Sequence, residues 1–196
     1  MENEDVMCDG EIELSDRAKS LWGKTNRVDD TEWLPLYVHM ADSAAMAVRI
    51  WDTWVPYGTK SIISRDLGND DDLARKLMIF LAGVHDIGKA TPVFQAKPIS
   101  FGPDAESLAW KPEQAGLPMI AGLRDTSHPT HPIAGQVILE RYFSLVHKWG
   151  KRESRQYACV VGGHHGTPPD KSKLESARLG KTESGLDSEV WMTTQN

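Results

Sequence analysis

The sequence predicts an all-α fold, a helical bundle, on three observations. Apolar residues recur at helical spacing in separate stretches: Tyr37, Met40, Ala41, Ala44, Val48, Trp51 and Val55 in one, Leu73, Leu77, Phe80, Leu81 and Val84 in another. Cap-forming residues stand where such stretches begin, and glycines stand where they end. No alternating apolar–polar run is long enough to specify a strand.

Residues 1–14 are acidic and aperiodic and read as a flexible arm. Ser15 is placed to cap a short helix through Leu21 and Trp22, because its hydroxyl can accept from a first-turn N–H that has no helical partner. The spacing predicts a long helix over Trp33–Val55, with Pro35 in its first turn, where the missing N–H is tolerated. Its second stripe, Met46, Ile50 and Trp54, leaves apolar character on most sides and predicts a buried, central helix. Asn69, Asp70, Asp71 and Asp72 offer caps for a helix from about Leu73 to Val84, which Gly88 is placed to end. Residues 96–130, rich in Pro and Gly, read as a long loop of the kind that often carries function. Pro132 opens a helix with Ile133, Val137, Ile138 and Tyr142 turned inward. Another covers Glu153 to Val161 and stops at Gly162-Gly163. The tail from Thr167 is polar, with a final helix near Glu189–Gln195. Trp22, Trp33, Trp51 and Trp54 read as core residues rather than as base-stacking platforms, and Cys159 reads as core as well.

Composition narrows the function. The chain has 196 residues, 22 Lys+Arg against 28 Asp+Glu and a net charge of −6. That balance excludes a broad basic surface that coats nucleic acid, but not a local groove or a metal-centred site. The basic stretch Lys148–Arg155 reads as a solvated helix face, and the loop 96–130 contributes only Lys97, Lys111 and Arg124. No apolar run reaches the ~18–20 residues that span a bilayer, and the N-terminus lacks a basic-then-apolar secretory pattern. Two cysteines, Cys8 and Cys159, make no disulfide framework. A cytoplasmic protein without membrane contact is the expectation.

Chemistry concentrates in the histidines, of which there are seven. His85-Asp86 ends an apolar helix, and His164-His165 sits between Gly162-Gly163 and Gly166. Imidazole and carboxylate suit Zn, Mn, Fe, Ni or Co, and a helix end lets neighbouring side chains turn toward one site. An isolated His-Asp pair, or a lone histidine such as His147, carries little information. The ordered set carries more: a helical histidine, His39; then His85-Asp86; then a histidine beginning a helix; then His164-His165. Four unrelated solvated positions would not give that order beside four apolar helices, so the set predicts a metal site.

This series resembles the HD superfamily of metal-dependent phosphohydrolases. Finer features narrow the resemblance: Leu21-Trp22-Gly23-Lys24-Thr25, then Pro35 through Asp42, then His85-Asp86-Ile87-Gly88-Lys89-Ala90-Thr91-Pro92-Val93-Phe94-Gln95, then Gly162-Gly163-His164-His165-Gly166 with Pro168-Pro169. Together they look like the HD nuclease domain of the CRISPR-associated nuclease-helicase of type I systems, from about Leu14 to the C-terminus. The resemblance implies an HD-domain helical bundle with His39, His85 and Asp86 as metal ligands, Asp86 bridging two metals, and His164 and His165 on the second metal. The remaining ligand would be His131, with His128 as rival. Lys89 matches a motif lysine that could hold a phosphate or orient water, or could instead satisfy helix C-terminal carbonyls. Asp42, one turn after His39, is a candidate to support a ligand or a solvated residue.

The implied cofactor is a divalent transition metal, two ions of Mn, Ni, Co or Fe, with Mg as a further candidate. The implied reaction is attack of metal-activated water on the phosphodiester of single-stranded DNA during CRISPR interference. The implied partners are an ATP-dependent helicase domain or subunit and the surveillance complex. Residues 15–196 hold no GxxxxGK[ST] phosphate loop, so no helicase domain is expected in them. The family's later aspartate has no match, since the setting of Asp187 differs, so the bundle reads as cut short at its C-terminal end. Missing helices would leave apolar surface of Trp33–Val55 exposed. Two alternatives share the residues: a phosphohydrolase acting on nucleotides, and a catalytically inactive docking module.

Overall fold

A computed structural model describes residues 13–26, 32–100, 103–120 and 127–196. The expected arm falls almost wholly outside them. Helix α1 (Asp16–Ser20) is capped as its sequence predicts, with the Ser15 hydroxyl accepting from the Ala18 N–H. The chain then leaves the helix at Leu21 and forms a strand, β1 (Trp22–Thr25), antiparallel to β2 (Trp33–Pro35). This two-stranded sheet corrects the strand-free expectation. Strands this short show no readable alternation, and their pairing is supported by packing from outside the sheet.

Helix α2 (Leu36–Thr53) follows, then α3 (Tyr57–Arg65), which the sequence reading lacked, and α4 (Asp71–Gly83). Asp70 caps α4 by accepting from the Leu73 N–H at 2.8 Å. The expectation that α2 is buried and central is wrong. Only Leu36 and Trp51 are buried in it, while Met46, Ile50 and Trp54 are exposed, Trp54 to 83%. One face packs on α4, with Gly83 close against Ala44, while the second apolar stripe is exposed.

The central helix is α7 (His131–Leu145), where Pro132, Ala134 through Leu139 and Phe143 are buried. It packs against α8 (Lys151–Gly162) and against a 3-10 turn at Ile87–Lys89. Leu139 and Phe143 share a cluster with Leu81, Ala158 and Val161. That joins α4, α7 and α8 into one layer. A helix apolar on nearly all sides must lie inside such a layer.

The segment 96–130 is not a bare loop. A short helix, α5 (Pro92–Gln95), and a 3-10 turn at Lys97–Ser100 lead to α6 (Pro103–Gln114), whose Leu108 is buried with Trp22 and Phe94. Pro112 lies in its last turn, which disguises the helix in sequence. Residues 121–126, with Arg124, are outside the described residues. The polar tail folds too. Asp170 caps α9 (Lys171–Leu179), whose Leu174 and Ala177 meet Val137; α10 (Lys181–Ser184) follows. The last helix, α11 (Glu189–Gln195), matches its predicted range and buries Trp191. Trp22 and Trp51 are buried, Trp33 is half-buried, and Trp54 is the tryptophan that departs from the core expectation. Cys159 is half-buried at the side of α8. No helix among the described residues is long and apolar enough to cross a membrane.

Candidate metal centre

Four helix ends meet around one carboxylate. His39 lies in the first turns of α2; His85 and Asp86 follow the end of α4; His131 opens α7; His164 and His165 follow the end of α8. The approach depends on two glycines. A Cβ on Gly88 would lie 1.8 Å from the His131 carbonyl oxygen and 2.5 Å from the Gly135 nitrogen. A Cβ on Gly135 would sit 3.2 Å from the Gly88 nitrogen. Glycine at both positions lets the 87–89 turn lie on α7 and brings His131 beside Asp86.

The two oxygens of Asp86 face different histidines. Its Oδ2 lies 2.9 Å from His39 Nε2 and 3.3 Å from His85 Nε2. Its Oδ1 lies 3.2 Å from His131 Nε2 and 3.5 Å from His164 Nε2. The potential donors fall into two groups, His39-His85-Asp86 and His131-His164-His165, each with its ligand atoms within 4.8 Å of one another.

Local structure sets which nitrogens are available. His85 Nδ1 lies 2.8 Å from the Ala82 carbonyl oxygen, and His164 Nδ1 lies 2.6 Å from that of Val161. A carbonyl only accepts, so each Nδ1 donates to it and each Nε2 points inward, where the neutral ring offers a metal its lone pair. His164 Nε2 is buried and has no hydrogen-bond partner. A buried nitrogen lone pair left unpaired, beside a carboxylate and further imidazoles, fits a divalent metal.

The electrostatics agree. Burial opposes ionisation of Asp86, but hydrogen bonds from His131, His85 and Lys89, with the Lys89 charge, hold its carboxyl far below the usual range. Burial, helped by the Lys24 charge, lowers His39 despite Asp86, and burial lowers His164. Both therefore favour the neutral form that binds metal. His85 is raised by its hydrogen bond to Asp86, so a metal there must displace a proton.

Lys89 is only 8% exposed, and its ammonium donates to the Gly23 carbonyl at 2.8 Å and pairs with Asp86 Oδ2 at 2.8 Å. It therefore ties β1 to the centre. Its rival role, on carbonyls at a helix C-terminus, is met only in the sense that a strand carbonyl takes its place. His128 lies apart from both groups, exposed, beside the Ser127 hydroxyl. Asp42 and Asp187 are exposed, and Asp187 accepts from Thr182. His147 packs with Tyr142 and Trp149 away from the centre.

Gln95 emerges as a positioning residue that histidine patterns do not reveal. Its side chain is wholly buried, accepts from the Trp22 N–H, and donates to the carbonyls of Trp22 and Lys89. It thus stands in for a third strand beside β1 and fixes the strand that holds Lys89. The signal was its place in the His85–Gln95 stretch; a buried glutamine's partners do not show in sequence.

Residues 22–196 match the family described as Cas3, HD domain. The chain is 36% identical over 154 residues to the CRISPR-associated nuclease/helicase Cas3 of Streptococcus thermophilus, covering 75% of this chain and 16% of that protein. It is 30% identical over 169 residues to the CRISPR-associated endonuclease/helicase Cas3 of Thermus thermophilus, covering 85% and 16%. A solved structure titled "Crystal structure of CRISPR-associated protein" superposes with a TM-score of 0.72 at 30% identity, covering 91% of this chain and 19% of that one. The chain thus spans about a sixth of the length of the curated relatives it matches. On the match over residues 22–196 and the two relatives, the chain belongs to the Cas3 HD-domain family of CRISPR-associated nucleases.

Proposed function

We propose that residues 15–196 act as one HD-type nuclease unit that hydrolyses phosphodiester bonds of single-stranded DNA in CRISPR interference, with two divalent metals. The observation that carries this reading is Asp86, one oxygen of which faces His39 and His85 while the other faces His131 and His164. A carboxylate so placed suits a bridging ligand. His39 and His85 would hold one ion with it, and His131, His164 and His165 the other. Bound there, divalent ions supply charge that polarises a phosphodiester and acidifies water.

The protein's own groups prepare that chemistry. The Ala82 and Val161 carbonyls orient His85 and His164. Lys89 holds Asp86 ionised and fixed, which assigns it a positioning role. No side-chain nucleophile is required. The relatives are named as nuclease/helicase and endonuclease/helicase proteins. That supports a helicase domain or subunit as the partner that supplies the strand. The proposal further takes a surveillance complex as the recruiter of both and the cytoplasm as the place of action.

The test incubates the purified chain with Mn, Ni, Co or Mg and circular single-stranded DNA, beside a panel of dNTPs. Cleavage that Asp86→Ala abolishes is the expected result. Nucleotide turnover without DNA cleavage would replace this reading with a nucleotide phosphohydrolase. No turnover, with no metal by elemental analysis, would leave a docking module.

A further inference from the structure

Beyond the metal centre, the cations of this acidic chain are unevenly placed. A cavity of about 690 Å³ between α8 and α9 is lined by Lys151, Arg152, Arg155, Lys171 and Arg178. A second hollow, of about 350 Å³, has His131 and His165 of the metal centre in its wall, together with Lys97 and Lys173. The two hollows share Pro168 and Pro169. They therefore form one path from the second histidine group, over the proline pair, to the α8–α9 cavity. Among the described residues no carboxylate lines either hollow, although the chain carries 28 Asp+Glu.

The carboxylates nearby sit behind the path and partly offset it. Glu140 pairs with Arg178 and, at 3.7 Å, with Arg155, without lining the cavity itself. Glu175 and Asp170 pair with Lys171 and Lys173 at 3.6 and 3.5 Å. Lys151 and Arg152 have no ion-pair partner among the described residues. Gln136, which is 2% exposed, also lines the cavity, and its Oε1 has no hydrogen-bond partner. A run of cations with no lining carboxylate among the described residues, continuous with the histidine groups, matches a polyanionic strand rather than an apolar ligand.

We infer that this path binds the phosphate backbone of a single nucleic-acid strand on one side of the bond presented to the metal centre. The inference rests on the nuclease reading for the identity of the strand, but its binding step needs no metal.

The test is fluorescence anisotropy of a labelled oligothymidine with the full chain in EDTA, over a salt series. Two double variants are compared, Lys151→Gln with Arg152→Gln, and Lys151→Glu with Arg152→Glu. Both positions are exposed in the first turn of α8, where glutamate favours the helix dipole, so the fold is not threatened. Removing two phosphate contacts lowers the slope of log K against log[salt] by about 1.4. Between about 50 and 200 mM salt the wild type therefore loses roughly sevenfold more affinity than the glutamine variant. The glutamate variant binds still more weakly. Unchanged affinity and slope in both variants would overturn the inference, as would a poly-glutamate peptide that competes as well as unlabelled oligonucleotide. Asp86→Ala separates the two readings. If the strand still binds through Lys151 and Arg152 but no protein cleaves DNA, the nuclease reading fails and the path stands. If the wild type cleaves and binding ignores both lysine and arginine, the path fails and the nuclease reading stands.

Discussion

Replacing Gln95 by leucine keeps the volume of a wholly buried side chain and removes all of its hydrogen bonds. Three partners are left without one: the Trp22 N–H at 3.1 Å, the Trp22 carbonyl at 3.0 Å and the Lys89 carbonyl at 2.9 Å. Trp22 and Lys89 are themselves buried, so water does not readily replace the amide. Each orphaned buried group costs ~1–3 kcal/mol, part of which the better burial of leucine offsets, giving a loss of ~3–6 kcal/mol. That is a large share of the ~5–15 kcal/mol typical of a folded domain. Urea unfolding followed by tryptophan fluorescence reads the loss as a lower midpoint at unchanged slope, and thermal melts as a fall of ~6–24 °C. Gln95→Glu, which retains an acceptor for Trp22 but sets a buried carboxylate oxygen against both carbonyls, costs at least as much as leucine at neutral pH. A loss below ~1 kcal/mol for Gln95→Leu would refute the view that Gln95 substitutes for a strand beside β1.

Other outcomes follow from the same geometry. Gly88→Ala drives a methyl into the His131 backbone, so α7 must move; we expect a loss of at least ~2 kcal/mol by denaturation and lost metal uptake by elemental analysis. Saturation with Mn to ~100 times its Kd adds ~2.7 kcal/mol to the native state, a rise of ~5–11 °C that EDTA reverses and Asp86→Asn prevents. A wild-type melt unmoved by any divalent ion would count against the two-metal assignment. Trp54→Ala, at an exposed position, changes stability by less than ~0.5 kcal/mol, whereas Trp191→Ala costs ~3–5 kcal/mol by the same melts, because Trp191 is buried and donates to the Pro118 carbonyl.

Helices with strong local signals were legible in advance. Ser15 and Asp70 cap where their side chains can reach first-turn N–H groups, and α11 spans the stretch read from its spacing. Local signals failed where neighbours decide. Apolar residues on most sides of α2 said nothing about how many of those sides would be covered, and one was left bare at Met46, Ile50 and Trp54. The strands were invisible because four residues and three residues hold no period, and β1 is held on its other side by a glutamine some seventy positions away. Helix α6 was hidden by prolines, and α9 by a polar surface that conceals Leu174 and Ala177.

The sequence by itself determined the all-α class, the capped helices and the ligand types, because helix caps and side-chain chemistry are properties of residues a few positions apart. It left His131 and His128 as rivals, and it did not say which nitrogen of each imidazole would face inward. Those were decided only by the tertiary structure. Gly88 against Gly135 sets the approach of α7 and carries His131 to Asp86, while the Ala82 and Val161 carbonyls fix the rings of His85 and His164. The acidic total of −6 was likewise a sum without a map. Folding put Lys151, Arg152, Arg155, Lys171 and Arg178 around one cavity, because α8 and α9 both pack on α7 and turn their basic residues to the gap between them.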